Sequence, residues 1–198
     1  MGRLEHWCDV WRRFQGRGTY PHQLAFVLTF PLRGLLLSPR KLIARMRPRP
    51  DAHVLEIGCG PGYFSADVAR SVPSGRLVLF DIQGEMLARA RARLRGRGVG
   101  NADFVRGDAG ELPFRPTTFD LAFLVTVLGE VTDAGACIRS IRRALKPGGV
   151  LSVTEMRGDP DVLSSADVGA MATSNGFEPD ELFETRLGFT ANFRASIR

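Results

Sequence analysis

One segment constrains this chain more than any other: Val54-Leu-Glu-Ile-Gly-Cys-Gly-Pro-Gly-Tyr-Phe64. A short run of strand-forming residues ends in three glycines at alternate positions, and a helical pattern follows. Glycine permits backbone conformations closed to other residues and lets another group approach the main chain closely. A strand that breaks on such a loop and re-emerges as a helix is the opening of a βαβ unit. The downstream sequence repeats the theme. Strands are predicted at His53–Ile57, Arg76–Asp81, Asp103–Arg106, Phe119–Thr126 and Val150–Glu155. Helices are predicted at Phe64–Ser71, at Glu85–Arg95 with an apolar stripe of Met86, Leu87, Ala90 and Leu94, and at Ala134–Leu145, which Lys146-Pro-Gly-Gly149 should stop. Strands spaced by helices imply a parallel sheet with crossover connections.

The tail holds a further helical pattern at about Ser165–Ser174 and two strand patterns, Phe177–Thr185 and Phe189–Ser196, close enough together to form an antiparallel edge. The expected fold is therefore α/β: a Rossmann-like three-layer sandwich on a mostly parallel seven-stranded sheet, with an antiparallel C-terminal edge and an N-terminal helical extension. Residues 1–50 form that extension, and 51–198 the main domain. The extension is rich in aromatics and arginine and is punctuated by Pro21, Pro31, Pro39, Pro48 and Pro50.

Composition narrows the class. A chain of 198 residues fits one domain with a substantial core. Its most apolar stretch, Leu24–Leu37, is too short to span a bilayer and is interrupted by Arg33. It also lies too far behind Arg12, Arg13 and Arg17 to be a signal peptide. Three widely spaced cysteines, Cys8, Cys59 and Cys137, form no metal-ligand pattern, so no metal is expected; an odd count fits thiols in a reducing cytosol. The expected location is cytoplasmic, with membrane-peripheral residence as the alternative. The net charge of +6 permits contact with nucleic acid or anionic lipid and demonstrates neither.

Four features carry chemistry. The glycine spacing is G-x-G-x-G, not the G-x-G-x-x-G of dinucleotide sites, and Glu56 precedes it. A carboxylate beside the loop would serve pyrophosphate poorly and an ammonium group well; the bland alternative is a tight strand–helix turn. Asp81 ends the second strand about 20 residues past the loop, where it can accept from two ribose hydroxyls; it could equally cap the helix that begins near Gly84. Gly107-Asp-Ala-Gly-Glu-Leu-Pro-Phe114 follows the third strand. There Asp108 can accept from an adenine amino group and Ala109 can donate its backbone N–H to a ring nitrogen, unless this is an ordinary acidic turn. The fourth strand ends at Val125 and Thr126, followed by Val127-Leu-Gly-Glu130. All four features fall at the carboxyl ends of strands, where ligands bind in open α/β sheets.

Taken in order, Val-Leu-Glu-Ile-Gly-Cys-Gly-Pro-Gly, Phe-Asp-Ile, Gly-Asp-Ala-Gly-Glu-Leu-Pro-Phe, Phe-Asp-Leu-Ala and Leu-Lys-Pro-Gly-Gly-Val-Leu closely resemble class I S-adenosylmethionine-dependent methyltransferases. The resemblance is nearest to the branch that includes the ubiquinone/menaquinone-biosynthesis methyltransferases, and covers roughly residues 51–156. It implies S-adenosyl-L-methionine as cofactor. It assigns Glu56, Gly58, Gly60 and Gly62 to the methionine moiety, Asp81 and Ile82 to ribose and adenine, Asp108 and Ala109 to the adenine edge, and Val125 and Thr126 to the wall near the sulfonium. It is poorly specific for the acceptor, because every matching motif serves cofactor or fold.

The segment after the fourth strand is Val125-Thr-Val-Leu-Gly129 rather than an Asn-Pro-Pro-Tyr type, which argues against base-flipping N-methylation. Carbon, oxygen, sulfur or small-amine acceptors stay open, and a small apolar or aromatic molecule is the expected substrate. Candidate general bases are Glu130, His22 and, more remotely, His6; each has an alternative as a surface or capping side chain. Tyr20 and Tyr63 could orient an acceptor or simply pack. His53 sits at the wrong end of its strand. Residues 1–50 should govern substrate choice, as a lid over an apolar pocket, as an interfacial membrane helix through residues 20–47, or as a plain helical cap. The competing functions are an RNA or protein methyltransferase, a non-catalytic S-adenosylmethionine-binding regulator or partner subunit, and a nicotinamide-dependent oxidoreductase; the glycine spacing and Glu56 disfavour the last. Nucleic acid is not an expected partner, and the sequence does not give the oligomeric state.

Overall fold

The structure, a computed structural model, describes residues 37–157 and 161–197. In chain order the elements are α1 (Pro39–Met46), β1 (His53–Ile57), α2 (Ser65–Ser71), β2 (Arg76–Asp81), α3 (Gly84–Gly96), β3 (Ala102–Arg106), β4 (Phe119–Val125), a 3-10 turn (Leu128–Glu130), α4 (Ala134–Ala144), β5 (Leu145–Met156), α5 (Ser165–Ser174), β6 (Phe177–Thr185) and β7 (Gly188–Ala195). The seven strands form one sheet in the order β3-β2-β1-β4-β5-β7-β6. β1 pairs in parallel with both β2 and β4, and β7 runs antiparallel to β5 and β6. The Rossmann-like sandwich with an antiparallel C-terminal edge is the fold observed.

Period-two alternation sorts the strands into two cores. Leu55 and Ile57 of β1, Ala122 and Leu124 of β4, and Leu151 and Val153 of β5 face one side, where Cys137, Ile138 and Ile141 of α4 and Val168 and Ala172 of α5 cover them. Val54 of β1 and Leu121 and Phe123 of β4 face the other, covered by Leu42 and Met46 of α1, Val68 and Ala69 of α2, and Leu87, Ala90 and Leu94 of α3. The stripe read on α3 is buried throughout. Asp133 starts α4 by accepting from the Ala136 N–H at 2.8 Å, and Ser164 starts α5 by accepting from Asp167 N–H at 3.1 Å.

Two boundaries depart from expectation. Lys146-Pro-Gly-Gly149 was expected to separate α4 from a strand beginning at Val150, but β5 begins at Leu145 and runs through it. Phe119 pairs with Leu145 and Leu121 with Val150, so β5 carries extra residues against β4 and bulges, with Gly148 at φ 73° absorbing the turn. Likewise β4 stops at Val125, one residue early, because Thr126 adopts φ 53°.

α1 belongs to this packing. Ser38 caps it, Leu42 is fully buried and Met46 nearly so. The Asn192 side-chain amide donates to the Arg45 carbonyl at 2.9 Å, and the chain passes through residues 47–52 into the amino end of β1. Leu42→Ala should lower the unfolding free energy by about 2–5 kcal/mol, the usual cost of a truncated core leucine. Urea titration measures this; an unchanged midpoint would mean that α1 is not part of the cooperative core.

Candidate functional site

The site forms where the strand order reverses. From β1 the chain works outward to β2 and β3, then returns to lay β4 on the other side of β1. The connections leaving β1 and β4 diverge to opposite faces, and a crevice opens between them. The glycine loop lies in that crevice. Gly58, Gly60 and Gly62 all have positive φ (65°, 51° and 75°), a region that favours glycine. At Gly58 an added Cβ would fall 2.4 Å from the Val127 side chain, and at Gly62 it would fall 3.0 Å from Ala90 Cβ. The loop is thus pressed between β4's exit and α3.

Asp81 fixes the loop from the side. One carboxylate oxygen accepts the Gly60 N–H at 2.9 Å, the other accepts the Gln83 N–H at 2.9 Å. The Phe80 carbonyl accepts the N–H of Gly58 at 2.8 Å and of Cys59 at 3.2 Å. Asp81 is not the helix cap: the cap position of α3 is Gln83, which makes no side-chain capping bond. Each Asp81 oxygen keeps a second lone pair, so the carboxylate can hold the loop and still accept from two hydroxyls. Burial raises its pKa, opposed by the N–H groups of Gln83, Gly60 and Ile82. Ile82 beside it is 46% exposed, an apolar side chain left uncovered at the mouth.

Glu56 lies beneath the loop, only 3% exposed. Its Oε2 and the neighbouring Ser65 Oγ are buried without a hydrogen-bond partner among the described residues. Burial pushes the Glu56 carboxyl up to about 8; the Ser65 hydroxyl beside it pulls the other way, and the Asp81 charge adds to the rise. A buried acceptor with no donor is a costly arrangement, and one that a cationic donor would relieve. Cys59 is a buried thiol whose pKa burial raises well above the usual range, with Glu56 and Asp81 reinforcing the shift; Cys137 is buried in the other core.

The remaining residues surround the same crevice. Asp108 is exposed after β3 and accepts the Gly110 N–H at 2.8 Å, leaving its second oxygen available; Ala109 is half-buried against the core. Val125 is half-buried at the end of β4. Thr126 holds its left-handed backbone while its N–H donates to the Thr154 carbonyl at 2.8 Å. A threonine at positive φ stores backbone strain, which clusters at functional positions. Glu130 ends the 3-10 turn beyond β4 and is half-buried. His22, His6, Tyr20 and residues 20–36 of the expected 20–47 surface lie outside the described residues. Tyr63 packs edge-on against Phe64 at 4.8 Å, with the Arg93 guanidinium over its ring at 5.7 Å. His53 sits at the amino end of β1, where its N–H donates to Asp120 at 2.9 Å.

Glu155 escaped the sequence reading. It is 2% exposed near the carboxyl end of β5, one residue beyond Thr154. The signal that singled out Glu56 and Asp81, an acid closing an apolar strand, applies equally to Val-Thr-Glu155. No cluster of His, Cys, Asp and Glu that could hold a metal occurs among the described residues, and no helix among them is long and apolar enough to cross a membrane.

The cradle suits S-adenosylmethionine: an orphaned carboxylate oxygen for its ammonium group, Asp81 for its ribose, and an uncovered isoleucine for its base. Comparison with known proteins points to the same cofactor. The Pseudomonas putida protein described as ubiquinone/menaquinone biosynthesis C-methyltransferase UbiE is 43% identical over 119 residues, 59% of this chain and 46% of that protein. The chain thus spans about half the length of the curated relatives it matches. Among solved structures, an S-adenosylmethionine-dependent methyltransferase from Aquifex aeolicus superposes with a TM-score of 0.83 at 20% identity, covering 89% of this chain and all of that one (100%). The [4+2]-cyclase SpnF superposes at 0.75, also 20% identical, covering 84% of this chain and 82% of that one. Residues 54–149 match the methyltransferase domain family, and the sheet that carries them has the fold of the S-adenosylmethionine-dependent methyltransferase from Aquifex aeolicus.

Proposed function

We propose that this protein transfers a methyl group from S-adenosylmethionine to a small apolar or aromatic acceptor, chiefly by positioning and exclusion of water. The observation that carries the reading is the glycine loop pinned by Asp81 at the point where the strand order reverses. Gly58, Gly60 and Gly62 let the main chain approach the methionine part, and Glu56 receives its ammonium group. Asp81 accepts from the ribose hydroxyls, Ile82 packs on the adenine, and Asp108 and Ala109 read its edge.

When bound, the cofactor supplies a methyl group already attached to a sulfonium leaving group. The protein's work is then to align an acceptor about 3 Å from that carbon, and such alignment is worth up to roughly 7–11 kcal/mol in favourable intramolecular cases. Val125 and Thr126 form the wall beside the reaction centre, and the constrained backbone of Thr126 holds that wall in one geometry. Where the acceptor must lose a proton, Glu130 is the general base in reach of the mouth, with His22 as the candidate from the N-terminal segment. That segment joins α1 at Leu37, whose side chain is buried in the same core that Val125 and Met156 pack against. The lid reading of the 1–50 extension is accordingly kept for the part before Leu37, since Pro39–Met46 belongs to the core.

The similarity to a quinone-pathway C-methyltransferase supports a small aromatic acceptor. The likeness to a cyclase is a reminder that the fold alone does not decide the chemistry. Part of the basic charge on and beside α3 is engaged within the protein and not held for RNA: Arg91 stacks on Phe104 at 4.8 Å, Arg93 on Tyr63 at 5.7 Å, and Arg97, just past the helix, pairs with Asp67 at 3.4 Å.

Three outcomes test this reading. Asp81→Ala should weaken binding of S-adenosylhomocysteine by about 1–3 kcal/mol through loss of the ribose hydrogen bonds; calorimetric titration of a folded variant with unchanged affinity would remove Asp81 from the site. Glu56 predicts a pH dependence. Below about 8 the unliganded carboxyl holds its proton, whereas an ammonium partner favours the ionised form. Affinity should therefore climb as pH rises toward 8, by up to roughly tenfold per unit, and Glu56→Gln should flatten the profile. The stability of the unliganded protein has the opposite sign. The folded carboxyl binds its proton more tightly than the unfolded one, so this contribution falls as pH rises from 4.5 to about 8. Urea midpoints should therefore fall less steeply with rising pH across that range in Glu56→Gln than in the unsubstituted protein.

A further inference from the structure

A second cavity lies at the other end of the sheet. It encloses about 590 Å³ between the end of α1, the amino ends of β4 and β5, and the β6–β7 edge, away from the glycine loop. Its walls carry five cations, Arg45, Arg47, Arg49, Lys146 and Arg194, against three carboxylates, Asp120, Asp180 and Glu181. Four of the cations share those three acids. Arg47 pairs with Glu181 and Arg194 with Asp180, at 2.9 Å for the latter. Lys146 at 2.9 Å and Arg49 at 3.4 Å both draw on Asp120, which also accepts the His53 N–H.

Arg45 is different. Its partners among the described residues are neutral: Nη1 donates to Thr190 Oγ1 at 2.8 Å, and the guanidinium lies 5.5 Å from the Phe183 ring centroid. Its own carbonyl accepts from Asn192. The residue is half-buried, and burial disfavours its charge. These contacts orient the guanidinium without neutralising it, and a partly desolvated cation with no counter-charge is an unfavourable arrangement unless an anion completes it. Beside it the β5 bulge leaves main chain uncovered: a Cβ added at Gly148 would meet nothing within 4 Å.

We propose that this cavity binds a phosphate monoester, with Arg45 as the fixed cation and Lys146 and Arg194 flanking it. With Arg49 also paired to Asp51 at 3.2 Å, Arg45 is the cation left without a counter-charge among the described residues, and Lys146 and Arg194 can turn further N–H groups to the same anion. The volume falls in the range of about 300–1,000 Å³ typical of small-ligand sites, which leaves room for an organic body that inorganic phosphate lacks. The same chemistry is offered by a soluble ester and by a lipid headgroup that ends in a phosphate monoester.

The test is calorimetric titration of the full chain, saturated with S-adenosylhomocysteine to keep the cofactor crevice out of the readout. The probes are ribose 5-phosphate and inorganic phosphate, with sedimentation on vesicles containing phosphatidic acid, a lipid phosphate monoester, alongside. Saturable binding of ribose 5-phosphate, one per chain, is expected. Arg45→Met should weaken it by about tenfold or more, as loss of a charge-assisted contact requires, and leave the S-adenosylhomocysteine affinity unchanged. Lys146→Gln, on a more exposed side chain, provides the same test should Arg45→Met fold poorly. Vesicle binding that is lost in both variants, without binding of the soluble ester, assigns the site to a lipid headgroup. Absence of both kinds of binding up to about 10 mM ester, or binding that neither substitution weakens, overturns the proposal.

Discussion

The two-sided parallel pairing of β1 sets the terms for everything else. With β2 on one flank and β4 on the other, β1 lies inside the sheet, both of its faces covered by helices. A strand so placed must be apolar, and it must end abruptly, because its successor has to leave for a helix on one face while the exit of β4 crowds the other. Val127 stands against Gly58, and Ala90 of α3 stands against Gly62. Larger side chains would separate the elements that the sheet holds together. The close approach of main chain needed for a cofactor is thus a by-product of how tightly three elements converge on the end of one strand.

Within that convergence the polar groups are the expensive part, and they define the site. Asp81 is offset by three backbone N–H groups and organises the loop before any ligand arrives. Glu56 has only the Ser65 hydroxyl to set against its burial, and its carboxyl is pushed up to about 8. Two acids a few residues apart in space therefore differ in state: one is a preformed acceptor, the other a latent one whose charge a cationic ligand would call out. The strained backbone of Thr126 is a third cost, held by the Thr154 carbonyl on the adjoining strand. Two buried acids and one strained threonine thus meet at the carboxyl ends of β1, β2 and β4, a combination typical of a site.

α1 connects the two ends of the molecule. Leu42 and Met46 bury it in the core, while Arg45 reaches Thr190, which shares a hydrogen bond of 2.9 Å with Thr154 on β5. The helix thus anchors the chain that precedes it, and it also walls the basic cavity at the amino ends of the strands. A short helix can serve both purposes because its buried stripe and its basic side chains occupy different faces.

The sequence by itself determined the order and kind of nearly every described element, the buried stripe of α3, and the gathering of Glu56, Asp81, Asp108 and Val125 at the strands' carboxyl ends. These follow from local periodicity and from the rule that consecutive βαβ units lie parallel, so no knowledge of distant contacts was needed. Tertiary structure alone decided the rest. That Lys146–Gly149 continues β5 instead of ending a helix depends on pairing with β4, a partner some 26 residues away. That Asp81 serves the loop and not a helix cap depends on Gly60 being brought across from β1. Glu155, the flipped Thr126 and the uncompensated Arg45 likewise depend on strands far apart in sequence. Periodicity reports which face a residue occupies; only the packed sheet decides what shares that face, and with it the charge and the strain a residue must bear.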